Sequence, residues 1–285
     1  MFALFSLTVL ASPQSAFPET CAQEKQTLNP DTDAVVRRPY DTANLQAGTE
    51  AIRKMIMPNG GNITFGVNWV DFKHKDKQLF VNLVALVNRN FANNNVPINF
   101  ELLDSIMVTG NVVFTQDDCT SNRLIELYGN PSPKVLNAFS GSPNSEAVAF
   151  TMLPHVNAHV DAIFLGDYDS YPADFYVQTI THEIGHWFGL FHTFQTTQGG
   201  DGCSDTVNDY VRDTPIVSIR QRTATTSFQW ACNVVQDTCP RQPGTDLINN
   251  YMDYTKCRNS FTDGQIFRMM NFAYFRYMGK MPTIT

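Results

Sequence analysis

Hydrophobic and polar positions follow distinct rhythms along the chain. Ile63, Phe65, Val67 and Trp69 alternate with small or polar residues, the two-residue period of a half-buried strand over Ile63–Phe72. From Lys77 to Phe91 the spacing lengthens, with Leu79, Phe80, Leu83, Leu86, Val87 and Phe91 three to four apart, as on a helix packed against a sheet. Turn residues Asn93–Asn95 end it. Further strands are predicted over Pro97–Val108, Lys134–Phe139, Glu146–Leu153 and Val160–Leu165. One helix follows from Ala173 to Gly189, and another from Thr262 to Met278, with Ile266, Met269, Met270, Phe272, Ala273 and Tyr277 inward. Two stretches lack a rhythm. Residues 17–60 are polar and rich in Pro, Asn, Asp and Thr, which predicts a leader or pro-like arm that adds little to the core. Thr193–Asn259 is rich in Gly, Asp, Thr, Pro and Cys, and a loop region of that length needs disulfides or a bound ion to order it. The pattern predicts an α+β fold with a stapled, loop-rich C-terminal part.

Composition narrows the function. The 285 residues carry 20 Lys plus Arg against 27 Asp plus Glu, a net charge of −7, and 43% are hydrophobic. That balance supports a packed core and leaves no basic block with which to grip nucleic acid or an anionic membrane. Met1–Ala11 (MFALFSLTVLA) is apolar, too short to span a bilayer but suited to a signal sequence, so residues 1–16 read as a signal peptide. Its lack of Lys or Arg leaves an N-terminal apolar strand as the other reading. Six cysteines occur without any C-x-x-C pair, which favours disulfides over thiolate zinc and points to secretion into an oxidising compartment.

The chemistry is concentrated in residues 182–192, H-E-I-G-H-W-F-G-L-F-H. His182 and His186 are four apart, so on a helix they share a face and can reach one metal ion. Gly189 can leave the helix with positive φ and bring His192 back to the same ion. Three neutral imidazoles on Zn²⁺ leave a position for water, the mark of a catalytic site. Glu183, beside the first ligand, is placed to act as general base as water attacks a peptide carbonyl.

The pattern H-E-x-x-H-x-x-G-x-x-H, followed about 60 residues later by Asn250-Tyr251-Met252-Asp253-Tyr254, resembles the metzincin zinc endopeptidases. The flanking T-H-E-I-G-H-W-F-G-L-F-H-T-F, D-T-P, N-Y-M-D-Y and F-T-x-G-Q are similar to the pappalysin family, including its small secreted fungal members. The resemblance covers about Thr181–Met269 and implies a metzincin-type fold. That fold has a twisted mixed sheet and two long helices in an upper subdomain, above a loop-rich, disulfide-stapled lower one with a C-terminal helix. It implies a catalytic domain over 61–280, divided near 192/193, with zinc on His182, His186 and His192 and Glu183 as base. It further implies that Met252 forms the turn beneath the metal and that Tyr254 helps stabilise the tetrahedral intermediate. An extended substrate would add to an edge strand, for which Glu146–Leu153 is the candidate, an ordinary buried strand being the alternative. The family pairing implies disulfides Cys203–Cys239 and Cys232–Cys257. Cys21 and Cys119 remain, to pair with each other or to leave Cys21 as a thiolate that caps zinc in a latent precursor.

Some features depart from the pattern or stay open. The loop Tyr254-Thr255-Lys256-Cys257 lacks the acid with which relatives select a basic residue after the cut, and Lys256 has the opposite sign, so no basic preference is transferred. Asp201, Asp205, Asp209 and Asp213 punctuate the segment after His192; Asp209 and Asp213 are candidates for Ca²⁺, with solvated surface carboxylates as the other reading. His155 and His159 read as loop residues, and Asn62-Ile63-Thr64 is a glycosylation sequon. The expectation is a secreted, monomeric zinc endopeptidase acting on proteins or peptides, without nucleic-acid or membrane partners. A catalytically silent zinc-containing binding protein and a metzincin of another branch are the competing readings.

Overall fold

The computed structural model describes residues 45–110, 112–114, 118–143, 148–151, 161–194, 203, 209–218, 232 and 234–279. Residues 1–44, with Cys21, and Asp201, Asp205, His155 and His159 lie outside the described residues, as does the side chain of Cys119.

The strands whose two-residue rhythm is visible in the sequence form one five-stranded sheet. It comprises β1 (Ile63–Asp71), β2 (Ile98–Met107), β4 (Val135–Ser140), β6 (Ala149–Thr151) and β7 (Ala162–Leu165), in the order β2-β1-β4-β7-β6. All neighbours are parallel except β6 and β7, which are antiparallel. A short parallel pair, β3 (Val113–Phe114) and β5 (Ser142–Pro143), stands apart. The described part of the segment predicted over Glu146–Leu153, Ala149–Thr151, is therefore an edge strand of the described sheet.

Alternate residues of the central strands feed two cores. Phe65, Val67 and Trp69 of β1, Leu136 and Ala138 of β4, and Ile163 and Leu165 of β7 face α2 (Lys77–Asn93) and α4 (Ala173–Trp187). Val70, Phe139, Ala162 and Phe164 face a second cluster with Leu124 and Ile125 of α3 (Asp118–Tyr128). Helix α2 starts where Asp76 accepts from the Gln78 N–H, and it buries Phe80, Leu83, Val84, Val87 and Phe91, each contributing about 1.5–3 kcal/mol of transfer free energy.

Two expectations are corrected. Regular structure does not begin at Ile63: α1 (Leu45–Ile56) precedes it and buries Leu45, Ile52 and Ile56. This helix packs on α5 (Asp263–Met278) so closely that a Cβ on Gly48 would lie 2.5 Å from the Phe267 ring. Nor is β1 half-buried throughout: on its second face Thr64 is exposed and Gly66 partly so, but α3 covers Asn68 and Val70; the helix went unread since its sequence, DCTSNRLIELY, is mostly polar.

The C-terminal helix α5 opens with a capping box between Thr262 and Gln265 and ends at Gly279 in the left-handed region. Two buried arginines tie it to the end of α4. Arg268 Nε donates to the Gly189 carbonyl at 2.7 Å, and Arg276 pairs with Asp161, donates to the Trp187 carbonyl and lies 3.6 Å over the Trp187 ring. The loop-rich region is stapled by Cys203–Cys239 and Cys232–Cys257, the pairing implied by the family resemblance.

Candidate active site

Helix α4 has one face against the sheet, with Tyr176, Ile180, Ile184 and Trp187 in the main core. Thr179, Thr181, His182, Glu183 and His186 are its buried polar residues. At its end the Phe188 N–H bonds the Ile184 carbonyl and the Gly189 N–H bonds the His186 carbonyl. Gly189 takes φ +79°, and any Cβ there would lie 2.3 Å from Phe272 of α5, so glycine is required both by the turn and by the packing. The turn returns the chain so that His192 meets the two helical histidines.

The three Nε2 atoms are 3.0–3.2 Å apart. His182 Nδ1 is 2.6 Å from the Tyr251 carbonyl and His186 Nδ1 is 2.7 Å from the Leu190 carbonyl. A carbonyl oxygen only accepts, so both Nδ1 atoms carry the proton and both Nε2 atoms present lone pairs to the common centre. Burial reinforces neutrality: it pushes His182 well below the usual histidine range, with His186 and His192 adding to the effect, and lowers His186 to about 4. With His192 Nε2 as the third, three ring nitrogens converge at this separation, and a point about 2.0–2.1 Å from all three, the Zn–N distance, exists. The residues thus fit a metal ion. Among the described residues, this is the group of three or more His, Cys, Asp or Glu able to hold one.

Met252 packs against α4 at Gly185, between the two helical histidines in the chain. Its thioether fills the space over Gly185, where a Cβ would be 2.4 Å from Sδ, and it is fully buried. The same turn supplies the Tyr251 carbonyl to His182, and the Met252 carbonyl accepts from the Thr193 N–H at 3.1 Å. Tyr254 is half-exposed, its ring 4.7 Å from His192 and 5.7 Å from His182. Burial, followed by the field of Glu183, pushes its phenol up to about 12.

Glu183 is buried, and the Thr151 hydroxyl lies 2.5 Å from its Oε2. Burial raises its carboxyl to about 7, against the opposing pull of the Thr151 hydrogen bond and the Arg258 charge. Sequence reasoning missed both Thr151 and Arg258. Thr151 had a signal in its place on the expected edge strand; Arg258 had none.

The acidic candidates serve the frame. Asp209 Oδ1 accepts from the Val211 N–H and the Thr214 hydroxyl, and burial raises this carboxyl to about 7. Asp213 accepts from the Thr262 hydroxyl and the Gly264 N–H, both at 2.7 Å, which anchors the start of α5. Asn62 of the sequon is exposed.

Residues 147–273 match the family model Peptidase_M43, described as pregnancy-associated plasma protein-A. An extracellular metalloprotease of Verticillium alfalfae is 50% identical over 99 residues, which are 34% of this chain and 31% of that protein. Others from Neurospora crassa and Pyricularia oryzae are 48% identical over 96 residues and 46% over 102, covering 33% and 35% of this chain and 29% and 31% of theirs. The chain thus spans about a third of the length of the curated relatives it matches. The resemblance carried by the histidine string and the N-Y-M-D-Y turn is borne out as a similarity: residues 147–273 match the pappalysin (Peptidase_M43) family model, and the relatives matched over about a third of the chain are extracellular metalloproteases.

Proposed function

We propose that the chain is a secreted zinc endopeptidase that hydrolyses peptide bonds in proteins, with Glu183 as general base. The observation that carries the reading is the convergence of three Nε2 atoms, 3.0–3.2 Å apart, next to a buried carboxylate. Zinc held by His182, His186 and His192 would lower the pKa of water to about 7 and polarise the scissile carbonyl.

The chain's own residues do the rest. Glu183 takes a proton from the attacking water and returns it to the leaving amine, a task suited to a carboxyl raised to about 7. Thr151 holds that carboxylate in place through Oε2. The Tyr254 hydroxyl, kept protonated, donates to the oxyanion that forms on the carbonyl oxygen. The substrate lies extended along the free edge of β6 and is gripped by backbone hydrogen bonds. The relatives' description as extracellular and the disulfides of the loop-rich part support secretion.

The test is casein hydrolysis by wild type and Glu183→Gln, with zinc content measured in both. Chelator-sensitive activity in wild type, lowered at least about a hundredfold in the variant while zinc is retained, is the expected result. Equal activity in the two proteins overturns the role of Glu183. Zinc-loaded wild type that cleaves nothing favours the silent binding protein.

A further inference from the structure

Beside this site lies a buried cation with no carboxylate in ion-pair reach among the described residues. Arg258 is 4% exposed. Its Nη2 donates to Thr179 Oγ1 at 3.1 Å and its guanidinium carbon lies 5.3 Å from the Phe175 ring centroid, while Nε has no hydrogen-bond partner. The segment that carries it is held firmly: Cys257 is bonded to Cys232, and the Asn259 and Ser260 N–H groups donate to the Asn249 carbonyl.

A guanidinium left this dry and only partly bonded is poor structural glue. Burying it without a carboxylate costs several kcal/mol, and an apolar side chain would join the loop to α4 at less cost. Its position gives it another use. Phe175, Thr179 and Glu183 succeed one another at four-residue steps on α4, so Arg258 lies along the helix on the N-terminal side of Glu183, and the fields of Glu183 and Asp253 act on it. Phe194 stacks on His192 with the ring centroids 4.8 Å apart. Because Glu183 must hand its proton to the leaving amine, the residue that carries that amine comes to rest beside Glu183. A side chain on that residue that turns toward the N-terminal part of α4 meets Arg258.

We propose that Arg258 is a specificity-determining residue that selects an acidic side chain, Asp or Glu, on the residue directly after the scissile bond. A carboxylate there would take up the unused Nε–H in a charge-assisted hydrogen bond and neutralise the buried cation. An amide of the same shape would leave the charge uncompensated, and a Lys or Arg would meet like charge in a dry site. The inference rests on the endopeptidase reading.

The experiment uses zinc-loaded protein and quenched-fluorescence peptides that differ only after the cut, with Glu, Gln, Leu or Lys there, the cut site being read by mass spectrometry. Wild type should prefer Glu over Gln by about tenfold or more in kcat/KM, the size expected when a buried charge gains or lacks its partner. In Arg258→Met the Glu/Gln ratio should fall to within about twofold, and in Arg258→Lys it should be intermediate with a raised KM for the Glu peptide. A wild-type ratio below tenfold overturns the inference whatever the variants do. So does an acid preference that survives in a folded Arg258→Met. Cleavage without acid preference overturns this inference alone, whereas zinc-loaded wild type that cuts none of the peptides overturns the endopeptidase reading and this one with it.

Discussion

Gly185→Ala tests the packing beneath the metal centre. An added methyl would lie 2.4 Å from Met252 Sδ, 3.3 Å from its Cε and 3.5 Å from Leu190 Cδ1. Comfortable contact is about 3.5–4.0 Å, so the thioether must retreat by more than about 1 Å. It has little room: Met252 is fully buried, its N–H donates to Asn250 Oδ1 at 2.9 Å, and its carbonyl accepts from Thr193. Alanine gains up to about 1 kcal/mol over glycine in a helix, while overpacking costs about 1–3 kcal/mol. Strain at a site braced from both sides wins, and a net loss of about 1–2 kcal/mol is expected. Because the neighbouring Tyr251 carbonyl holds His182 Nδ1, the displacement should also weaken zinc binding by about tenfold, as disturbed outer contacts do elsewhere. Urea unfolding in chelator reads the first effect and competition with a chromophoric chelator the second. Met252→Ala alone should cost about 2–5 kcal/mol, and the double variant less than the sum of the singles by more than about 1 kcal/mol, since the methyl then enters the space Met252 leaves. A Gly185→Ala protein as stable as wild type, with additive doubles, would refute the argument.

Four further outcomes are expected. Glu183→Gln should lower casein hydrolysis at least about a hundredfold while retaining zinc. Asp161→Ala, which strips Arg276 of its buried partner and Trp187 Nε1 of its acceptor, should cost about 3–5 kcal/mol in urea unfolding at constant m, whereas an effect under about 1 kcal/mol would show the pair to be dispensable. Asp209 has a folded-state pKa of about 7, above its ordinary 3.8, because burial disfavours the charge. The folded state therefore holds this proton more tightly. The stabilisation is complete below about pH 4 and is lost as pH rises through about 7, so in chelator the stability of wild type relative to Asp209→Asn should fall over that window by at most about 4 kcal/mol and be flat above it. A difference that rises with pH would reverse the sign and sink the reasoning. The Cys232–Cys257 bond spans a sequence separation of 25, for which chain entropy predicts a loss of about 3–4 kcal/mol in Cys232→Ala/Cys257→Ala, read by thermal melting under chelator.

Much of the fold was legible because its elements are amphipathic or alternate cleanly. The boundaries of α2, α4 and α5 follow the three-to-four spacing of their apolar residues, and Gly189 stands where α4 must turn. Helix α1 was hidden because only Leu45, Ile52 and Ile56 are buried in a polar segment, and its ordering depends on α5, which lies more than 200 residues away. Helix α3 was hidden for the same reason, and with it went the burial of Asn68 and Val70 on the second face of β1.

The amino-acid sequence by itself determined the meeting of the three histidines and the place of Glu183 beside them. Residues 182, 183 and 186 are locked to one helix by its 100° step, and the glycine three residues on lets His192 return, so local geometry suffices. Tertiary structure alone decided what surrounds them: which ring nitrogens carry protons, through the Tyr251 and Leu190 carbonyls; the seat of Met252 on Gly185; the grip of Thr151 on Glu183; and the buried charge of Arg258 against Thr179. Most of these contacts join residues roughly 30 to 80 positions apart on different elements, and no local period in a sequence records a contact that exists only once the elements have packed.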